Sequence, residues 1–476
     1  MSDTPSAGGV ETKQSRTSNP TLELDLPPRW SQLGVSCPAG VVSPASETEI
    51  VDALRYASDN RLQVLPVAGG QAPYVSIDEN TLVLNMRKFN NISVGVAEGT
   101  ITFGGGAIAA EVIDACAAEG VYTLTPNSNA VGMVGFLLGG GSTALNGIHG
   151  LAADHILSVR IITATSRILT LDNSSTDDEA DLFATLRGAG HGLGVITSIT
   201  MPIFPVSDLN LENNCAWVRR LMFPVSAAKT AAHAFLHLVS LQETNNARLV
   251  TTLVFMRAPP GTAHTGEPIM ALTAAYYGPA HKAKDVTAAA LNFTVFKHAT
   301  SDRTTTIPFH EMNDRLSFLN VNTGYKKLGN ALLRSVDVES LQRAFDAWIA
   351  FGDKHEDARA RSIMMWGGWH VVPSRSTLSE RNIFLPEDGR SVYLENVVWF
   401  AEDKTVEAAM GFVEDMLDVP RKMDRDEGVA AATFATGQRA GGGIREKYSE
   451  RAIMEINRVK RVWDGRGLFW WPGSDY

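Results

Sequence analysis

The sequence predicts an α+β protein of two lobes, and three observations support this fold class. Short apolar strand patterns alternate with helical patterns and glycine-rich turns over roughly the first 120 residues. Glycines are then densest over residues 121–205, between further strand patterns. After Pro205 longer helical patterns mix with strands as far as residue 430. We therefore expect a glycine-rich lobe that binds a ligand, followed by an α+β lobe with an antiparallel sheet.

Hydrophobic periodicity places the main elements. A capping-box pattern at residues 46–49 precedes Ile50, Val51, Leu54 and Ala57, which recur at helical spacing. Apolar runs bounded by glycine predict strands in both lobes. The strands are predicted at 62–67, 82–84, 101–103, 156–162, 168–171, 195–203, 249–256, 362–372 and 392–400, and the later helices at 109–119, 227–241, 338–351, 406–417 and 452–462.

Composition excludes several classes of protein. The chain is 44% hydrophobic and 20% charged, which is typical of a globular protein with a core. Its formal net charge of -10 makes nucleic acid and anionic membranes unfavourable partners. Residues 1–27 begin with a polar, Ser- and Thr-rich stretch, and we expect them to be disordered.

Cysteine usage favours a reducing compartment. The chain has three cysteines, an odd number, and they lie far apart in the sequence: Cys37, Cys116 and Cys215. No C-x-x-C pair occurs. A zinc site, a redox pair and a disulfide framework are therefore not predicted, and no metal site is expected. The sequence has neither the apolar core of a signal peptide nor a run of ~20 apolar residues, so we expect a cytoplasmic protein without a membrane span.

The glycine clusters indicate a phosphate-bearing cofactor. Clustered glycines let backbone N–H groups approach an anion closely, although a single cluster is more often an ordinary tight turn. Four clusters lie at predicted strand ends within about 130 residues. The usual nucleotide motifs do not fit: no Gly-Lys-Ser/Thr of a P-loop is present near these turns, and residues 190–194 are mis-spaced for G-x-G-x-x-G, with a strand predicted after them.

The order of the motifs resembles the FAD domain of the berberine-bridge-like flavoenzymes, which have a PCMH-type (vanillyl-alcohol-oxidase-type) fold. The matching segments are Pro-Val-Ala-Gly-Gly-Gln-Ala at 66–72, the strand at 82–87, the second loop at 131–141 with 149–154, the closing loop at 181–197, and the C-terminal signature at 460–469. The resemblance is strong over 40–205 and weak over 206–430. It implies an FAD-binding domain at 28–205, a substrate-binding domain at 206–430 and a C-terminal segment, 431–476, that returns to the FAD domain.

The resemblance also implies which residues contact FAD. They lie in the first, second and closing loops. The predicted cofactor-binding residues are Val67, Ala68, Gly69, Gly70, Gln71, Ala72, Asn127, Ser128, Val131, Gly132, Gly135, Gly139, Gly140, Gly141, His149, Gly150, Asp154, Gly194, Val195 and Ile196.

Three departures from the family pattern affect the chemistry. Many relatives bond flavin through a histidine of the first loop, where this chain has Gln71, and some bond it through a cysteine of the second loop, where it has Ser128. A hydroxyl is a far poorer nucleophile than a thiolate, so we expect non-covalent FAD. An Asn-Tyr pair common near the C-terminus reads Ala452-Ile453 here, with Tyr448 as an offset substitute.

Catalytic candidates come from the second lobe, since the family's base usually lies on its sheet. They are His370, Tyr393 and Glu395, the last two on one face of the same predicted strand. Each also has an ordinary interpretation: a hydrogen-bonded strand histidine, a core aromatic residue and a solvated carboxylate. We interpret His149 and His191 as structural residues on the flavin side.

Three functions fit these observations. The first is an FAD-dependent oxidase of secondary metabolism that takes a hydride from a small metabolite to flavin N5, with oxygen as acceptor and with oxidative cyclisation as one outcome. The second is a redox-neutral cyclase or isomerase on the same scaffold, with FAD structural or absent. The third is a non-catalytic binding protein, which the retained glycine loops disfavour. The sequence leaves the substrate and the oligomeric state open.

Overall fold

The structure is a computed structural model that describes residues 19–243, 247–262, 264–371, 389–433 and 444–472. Of the N-terminal stretch expected to be disordered, residues 1–18 lie outside the described residues. Within the described ranges, no helix combines the length and apolar character that crossing a bilayer requires.

The first lobe begins with a small parallel sheet. Strands β1 (Gly40–Val42), β2 (Gln63–Val67) and β3 (Thr81–Asn85) pair in the order β1-β3-β2. Helix α1 (Glu47–Asn60) covers the sheet, and the Ser46 side chain caps it by accepting a hydrogen bond from Glu49 N. Because Ile50 and Leu54 recur at helical spacing, they bury one face of α1 against β2 and β3, as the sequence predicts.

A five-stranded antiparallel sheet completes the first lobe. It contains β4 (Ile92–Gly95), β5 (Thr100–Gly104), β7 (Ser158–Ile162), β8 (Ile168–Asp172) and β9 (Val195–Pro202) in the order β4-β5-β9-β7-β8. Its core is shared with α2 (Ala109–Ala118), α3 (Met133–Leu138) and α5 (Asp177–Ala189). Short β6 (Val121–Tyr122) pairs with β10 (Phe204–Pro205), and α4 (Asn146–His149) lies between α3 and β7 in the chain.

The second lobe is built on a seven-stranded antiparallel sheet. Its order is β14-β11-β13-β12-β16-β17-β15. The strands are β11 (Cys215–Pro224), β12 (Leu249–Arg257), β13 (Pro268–Tyr276), β14 (Ser301–Pro308), β15 (Tyr325–Leu333), β16 (Ile363–Gly368) and β17 (Val392–Phe400).

One face of this sheet packs on helices. Helices α6 (Ala228–Glu243), α9 (Val338–Lys354) and α11 (Val406–Asp426) contribute buried side chains to the same core as Phe255, Trp366 and Leu394. Successive side chains of a strand alternate between faces, so the neighbours of Trp366 and Leu394 point away from these helices. The remaining helices of this lobe are α7 (Ala280–Thr287), α8 (Phe293–Phe296) and α10 (Glu356–Arg359).

The described C-terminal residues pack against the first lobe. Helix α12 (Glu450–Trp463) is fixed to α5 by an ion pair between Arg458 and Asp181. Residues 468–470 then run beside β2, where Val64 N donates to Leu468 O at 2.7 Å and Trp470 N donates to Val64 O at 3.1 Å. The end of the chain therefore acts as a further strand on the first small sheet.

The fold class predicted from the sequence, α+β with an antiparallel sheet in the second lobe, is confirmed. Some element bounds were wrong. The strand expected at 362–372 ends at Gly368, and the helix expected at 406–417 continues to Asp426 through Pro420. Strands β11, β13, β14 and β15 were not predicted, because their partners on the sheet, rather than local periodicity, determine their extended conformation.

Replacing Phe235 should destabilise the second lobe strongly. Phe235 is 0% exposed and lies in the core between α6 and the large sheet. We expect Phe235→Ala to lower the free energy of unfolding by about 3–5 kcal/mol, because the truncation leaves a cavity. Denaturant unfolding measures this change. The control is Phe293→Ala, at a side chain 66% exposed, which should change stability by about 0.5 kcal/mol or less; equal effects would contradict this packing.

Candidate active site

A cavity of about 480 Å³ lies where the two lobes meet. Loops that follow β2, precede and follow α3, and precede β9 line one side of it. The helix-free face of the seven-stranded sheet lines the other side. The cavity therefore brings the glycine-rich segments of the first lobe together with side chains of the second.

The first loop approaches the second loop so closely that it requires glycine. A Cβ on Gly69 would lie 2.3 Å from Ala130 O and 2.6 Å from Gly132 N. Gly70 has φ +64°, and its carbonyl accepts a hydrogen bond from Trp30 N at 3.0 Å. The absence of side chains leaves backbone groups as the inner surface of this turn.

Side chains of the second loop fix its position. Asn127 Oδ1 accepts a hydrogen bond from Ala144 N at 3.0 Å, which joins the two arms of the loop. The Ser128 hydroxyl donates to Asn320 Oδ1 of the second lobe at 2.7 Å. Ser128 is therefore committed to a contact between the lobes.

A buried ion pair holds the closing loop and the C-terminal strand together. The Lys460 ammonium donates to Gly192 O and to Asp464 Oδ2, both at 2.6 Å. The Asp464 side chain is 0% exposed and also accepts from Leu468 N at 2.8 Å and Phe469 N at 3.0 Å. This network, called the C-terminal clamp below, places residues 469 and 470 in the cavity wall.

The sheet contributes the predicted catalytic residues. Tyr393 and Glu395 of β17 both line the cavity, and His370 lines it beyond the end of β16. Across the strands Gly367 pairs with Tyr393 and Met365 pairs with Glu395. A Cβ on Gly367 would lie 2.2 Å from the Tyr393 ring, so this glycine provides the space for the tyrosine.

The environment of Glu395 raises its proton affinity. Burial raises the pKa of the Glu395 carboxyl to about 7, because the apolar surroundings disfavour the charged form. Among the described residues no ion pair of Glu395 occurs that would reverse this shift. Burial, followed by the charge of Glu395, also raises the pKa of the Tyr393 phenol above its ordinary value. The pair is therefore suited to hold and release one proton near neutral pH.

Two histidines of the first lobe stay neutral. His191 lines the cavity, its Nε2 lies 3.1 Å from Gly135 O, and burial followed by the charge of Lys447 lowers its pKa to about 3. His149 lies outside the lining, with Nε2 2.9 Å from the Tyr122 hydroxyl, and burial lowers its pKa to about 4. Both environments support the structural interpretation of these histidines.

Most of the predicted cofactor-binding residues line the cavity. They are Val67, Ala68, Gly69, Gly70, Gln71, Ala72, Asn127, Ser128, Val131, Gly132, Gly135, Gly139, Gly194 and Ile196. The others lie behind this surface, where their backbone pairs within the lobe or their side chains join its core. They are Gly140, Gly141, His149, Gly150, Asp154 and Val195.

Sequence reasoning missed several lining residues. Leu316, Leu319 and Asn320 come from a segment before β15 that carries no motif. Arg29 lies beside the first loop, where its Nη2 donates to Ala72 O and Val75 O. Tyr448, considered as a substitute for the Asn-Tyr pair, is not in the lining and donates instead to Gly188 O at 2.7 Å.

This combination of a glycine-loop lobe and an antiparallel-sheet lobe, joined at one cavity, is the arrangement that the sequence resemblance to PCMH-type flavoproteins implies. Residues 38–172 match the family model described as an FAD binding domain. The prediction of FAD as the cofactor is thereby confirmed.

Comparisons with known proteins agree with this class. The FAD-linked oxidoreductase azaL of Aspergillus niger is 30% identical over 258 residues, which is 54% of this chain and 52% of that protein. (R)-6-hydroxynicotine oxidase of Paenarthrobacter nicotinovorans is 29% identical over 189 residues, 40% of this chain and 41% of that one. In these alignments the chain spans about half the length of the curated relatives or less.

The fold extends over nearly the whole chain. The structure of berberine bridge enzyme from Eschscholzia californica superposes with a TM-score of 0.74 at 16% identity and covers 94% of this chain and 92% of that one. The resemblance predicted from the sequence is confirmed: the chain is similar to FAD-linked oxidoreductases and has the fold of berberine bridge enzyme.

The residues present fit an FAD group. A Cβ at Gly69, Gly70 or Gly192 would collide with neighbouring backbone, so these positions expose bare main chain to the cavity. Apolar side chains such as Val131 and Ile196 line the same surface and suit a flavin ring. Gln71 supplies no nucleophile, because the lone pair of an amide nitrogen is delocalised into its carbonyl; its Nε2 donates to Gly69 O at 3.4 Å.

Breaking the C-terminal clamp should weaken both the fold and cofactor retention. We expect Asp464→Ala to lower the free energy of unfolding by about 3–5 kcal/mol, because it leaves the Lys460 charge buried without its partner. The bound FAD per chain should fall too, since Gly192 and Trp470 lose their support. Thermal unfolding and the ratio of flavin to protein absorbance measure the two effects.

The matched control is Asp426→Ala, which removes an exposed i,i+4 ion pair with Lys422. Such a pair contributes about 0–1 kcal/mol, and it lies outside the cavity lining. If Asp464→Ala resembled this control, the clamp would not support the cavity.

Proposed function

We propose that the chain is an FAD-dependent oxidoreductase that oxidises a small secondary metabolite, with Glu395 as general base and oxygen as electron acceptor. The observation that carries the proposal is the Glu395 carboxyl in the cavity wall, with a pKa raised to about 7 by burial. A base whose pKa lies near the working pH is the most effective one. The printed names of two relatives, an FAD-linked oxidoreductase and an oxidase, support the same class of reaction.

The two lobes would divide the work. We propose that residues 28–205 hold FAD, that residues 206–430 hold the substrate, and that the C-terminal segment supports the FAD side. Bound FAD would supply the oxidant, by accepting a hydride equivalent from a substrate C–H bond. The fit of the bare loops at Gly69 and Gly192 supports this assignment of sides.

The chain's own residues would position the substrate and move its proton. Met365 and Val397 flank Glu395 on the open sheet face and offer an apolar surface to a ring. The ionised Glu395 carboxylate would then accept the proton of a substrate hydroxyl or amine as the C–H bond is broken. Tyr393 and His370 complete the polar part of this surface and would orient the substrate through hydrogen bonds.

Glu395→Gln should remove the base without removing the flavin. We expect flavin reduction by substrate to slow by about 10²–10⁴-fold, the usual contribution of a general base. In the unsubstituted protein the rate should rise with pH through about 7, because the active form is the carboxylate. The glutamine variant should be slow and insensitive to pH over the same range.

Anaerobic bleaching of the visible flavin band by a panel of ring-bearing alcohols, phenols and amines identifies a substrate and measures the rate. The control variant is Glu407→Gln in α11, outside the cavity lining, which should retain the original rate and profile. Turnover without bleaching or oxygen use would contradict the redox proposal and favour the cyclase or isomerase alternative.

We also propose that FAD is held without a covalent bond. Gln71 and Ser128 occupy the two positions where relatives carry the attaching residues, and Ser128 is engaged with Asn320. Acid precipitation of the purified protein should therefore release all of its flavin into the supernatant, with the spectrum of free FAD. Yellow colour retained in the pellet would mean that another residue forms a bond. The cytoplasmic location expected from the sequence stays a prediction.

A further inference from the structure

A second, smaller cavity lies beside the first and shares a wall with it. Its volume is about 130 Å³. Pro126, Asn127, Thr143 and Ala144 line both cavities. We call the smaller one the side cavity; it is bounded by α2, by β6 and by the segment after β14. The shared wall is therefore only one layer of residues thick, and the Asn127–Ala144 hydrogen bond crosses it.

The side cavity reaches the protein surface at its other end. Gly120, Asn214 and His310 belong to its lining and are exposed to solvent. Deeper in the lining, Cys116 and Met312 are buried. The exposure of the lining residues falls from the surface inward, so the side cavity leads from solvent to the loop that carries Asn127.

The deep wall of the side cavity is effectively apolar. Four of its polar side chains are already bonded within the protein: the Tyr122 hydroxyl lies 2.9 Å from His149 Nε2, Thr123 Oγ1 donates to Pro202 O at 2.8 Å, Thr143 Oγ1 accepts from Leu145 N at 2.9 Å, and Asn313 Nδ2 donates to Pro126 O at 3.0 Å. The Tyr277 hydroxyl is a further polar group of this wall. A buried water is held by otherwise unsatisfied polar groups, so a wall that offers few of them favours small apolar molecules over ordered water.

The cysteine of the wall fits this description. Cys116 is 2% exposed, and burial raises the pKa of its thiol to about 12. A neutral buried thiol packs as a small hydrophobic group. It therefore adds neither charge nor reactivity to the cavity.

We propose that the side cavity takes up dioxygen from solvent and passes it across the Asn127–Ala144 wall to the flavin side of the main cavity. The inference rests on the proposed oxidase function and names the route of its second substrate. Reduced FAD held in the main cavity would supply two electrons and two protons to this oxygen, so that FADH₂ and O₂ would give FAD and H₂O₂. An apolar void of this size suits a small apolar diatomic molecule better than an ionic acceptor.

Filling the side cavity from its far side tests the proposal. Ala117 lines the side cavity from α2 and does not line the main cavity. The FAD-bound protein is reduced by light with EDTA, mixed with air-saturated buffer, and followed by the return of the flavin band. We expect Ala117→Phe to slow reoxidation by oxygen several-fold. Reoxidation by ferricyanide, an anion too large and too polar for the side cavity, should keep its rate.

The adjacent residue provides a matched control. Ala118 is exposed on the same helix and does not line the side cavity, so Ala118→Phe should reoxidise at the original rate. If Ala117→Phe does not fold, Ala117→Leu is the second variant, and we expect it to slow reoxidation by oxygen to a smaller extent. Equal oxygen rates in the Ala117 variants and the unsubstituted protein would overturn the proposal.

Xenon provides a readout that does not depend on turnover. Crystals of the holoprotein pressurised with xenon should show the gas in the side cavity, and Ala117→Phe should abolish this site. Ordered water in place of xenon would overturn the apolar assignment. If the protein binds no FAD, or if no substrate reduces its flavin, the proposed function is contradicted instead. Xenon binding is measured without turnover, so it distinguishes that failure from a failure of the proposed oxygen route.

Discussion

The rest of the structure depends on the one-sided packing of the seven-stranded sheet, whose core helices α6, α9 and α11 lie on a single face. Side chains alternate along each strand, so Leu394 and Trp366 join the helical core while Tyr393 and Glu395 must point the other way. The glycine loops of the first lobe cover part of that second face. Because the glycines of those loops carry no side chain, a cavity remains between the lobes beside the apolar core that they share.

Burial then determines the electrostatics of this cavity. His191 is neutral and provides no counter-charge, and burial is the cause that raises the pKa of the Glu395 carboxyl on the opposite sheet. Glu395 consequently exchanges its proton near neutral pH, where its pKa of about 7 lies. By contrast, Asp464 is buried but ion-paired with Lys460, and it serves the architecture. The two buried carboxylates thus lie in different environments: burial raises the pKa of Glu395, whereas Asp464 is bonded to Lys460.

Much of the site was predictable because its backbone requirements appear as residue types. Glycine is required at 69, 70 and 132 because the backbones of two loops approach closely there or because the dihedral angle φ is positive, as at Gly70. These constraints act on single residues and are therefore visible in the sequence. The strand of Tyr393 and Glu395 was predictable from its alternation, although its role needed the family resemblance. The sequence did not predict that Leu316, Leu319 and Asn320 line the cavity. These residues belong to no motif, and the path of the chain between β14 and β15 brings them there. Nor did the sequence predict the position of Gly140 and Gly141, which resemble the lining glycines in sequence but lie behind them.

The sequence by itself determined the fold class and, through the resemblance of its motifs to a known family, the FAD cofactor, because glycine spacing and hydrophobic periodicity are properties of short segments. Only the tertiary structure decided which of those residues face the cavity and how the lobes are joined. It also decided the proton affinity of Glu395. Proton affinity depends on the loss of solvent and on distances to charges far away in the chain, and neither quantity is contained in the residues adjacent to Glu395.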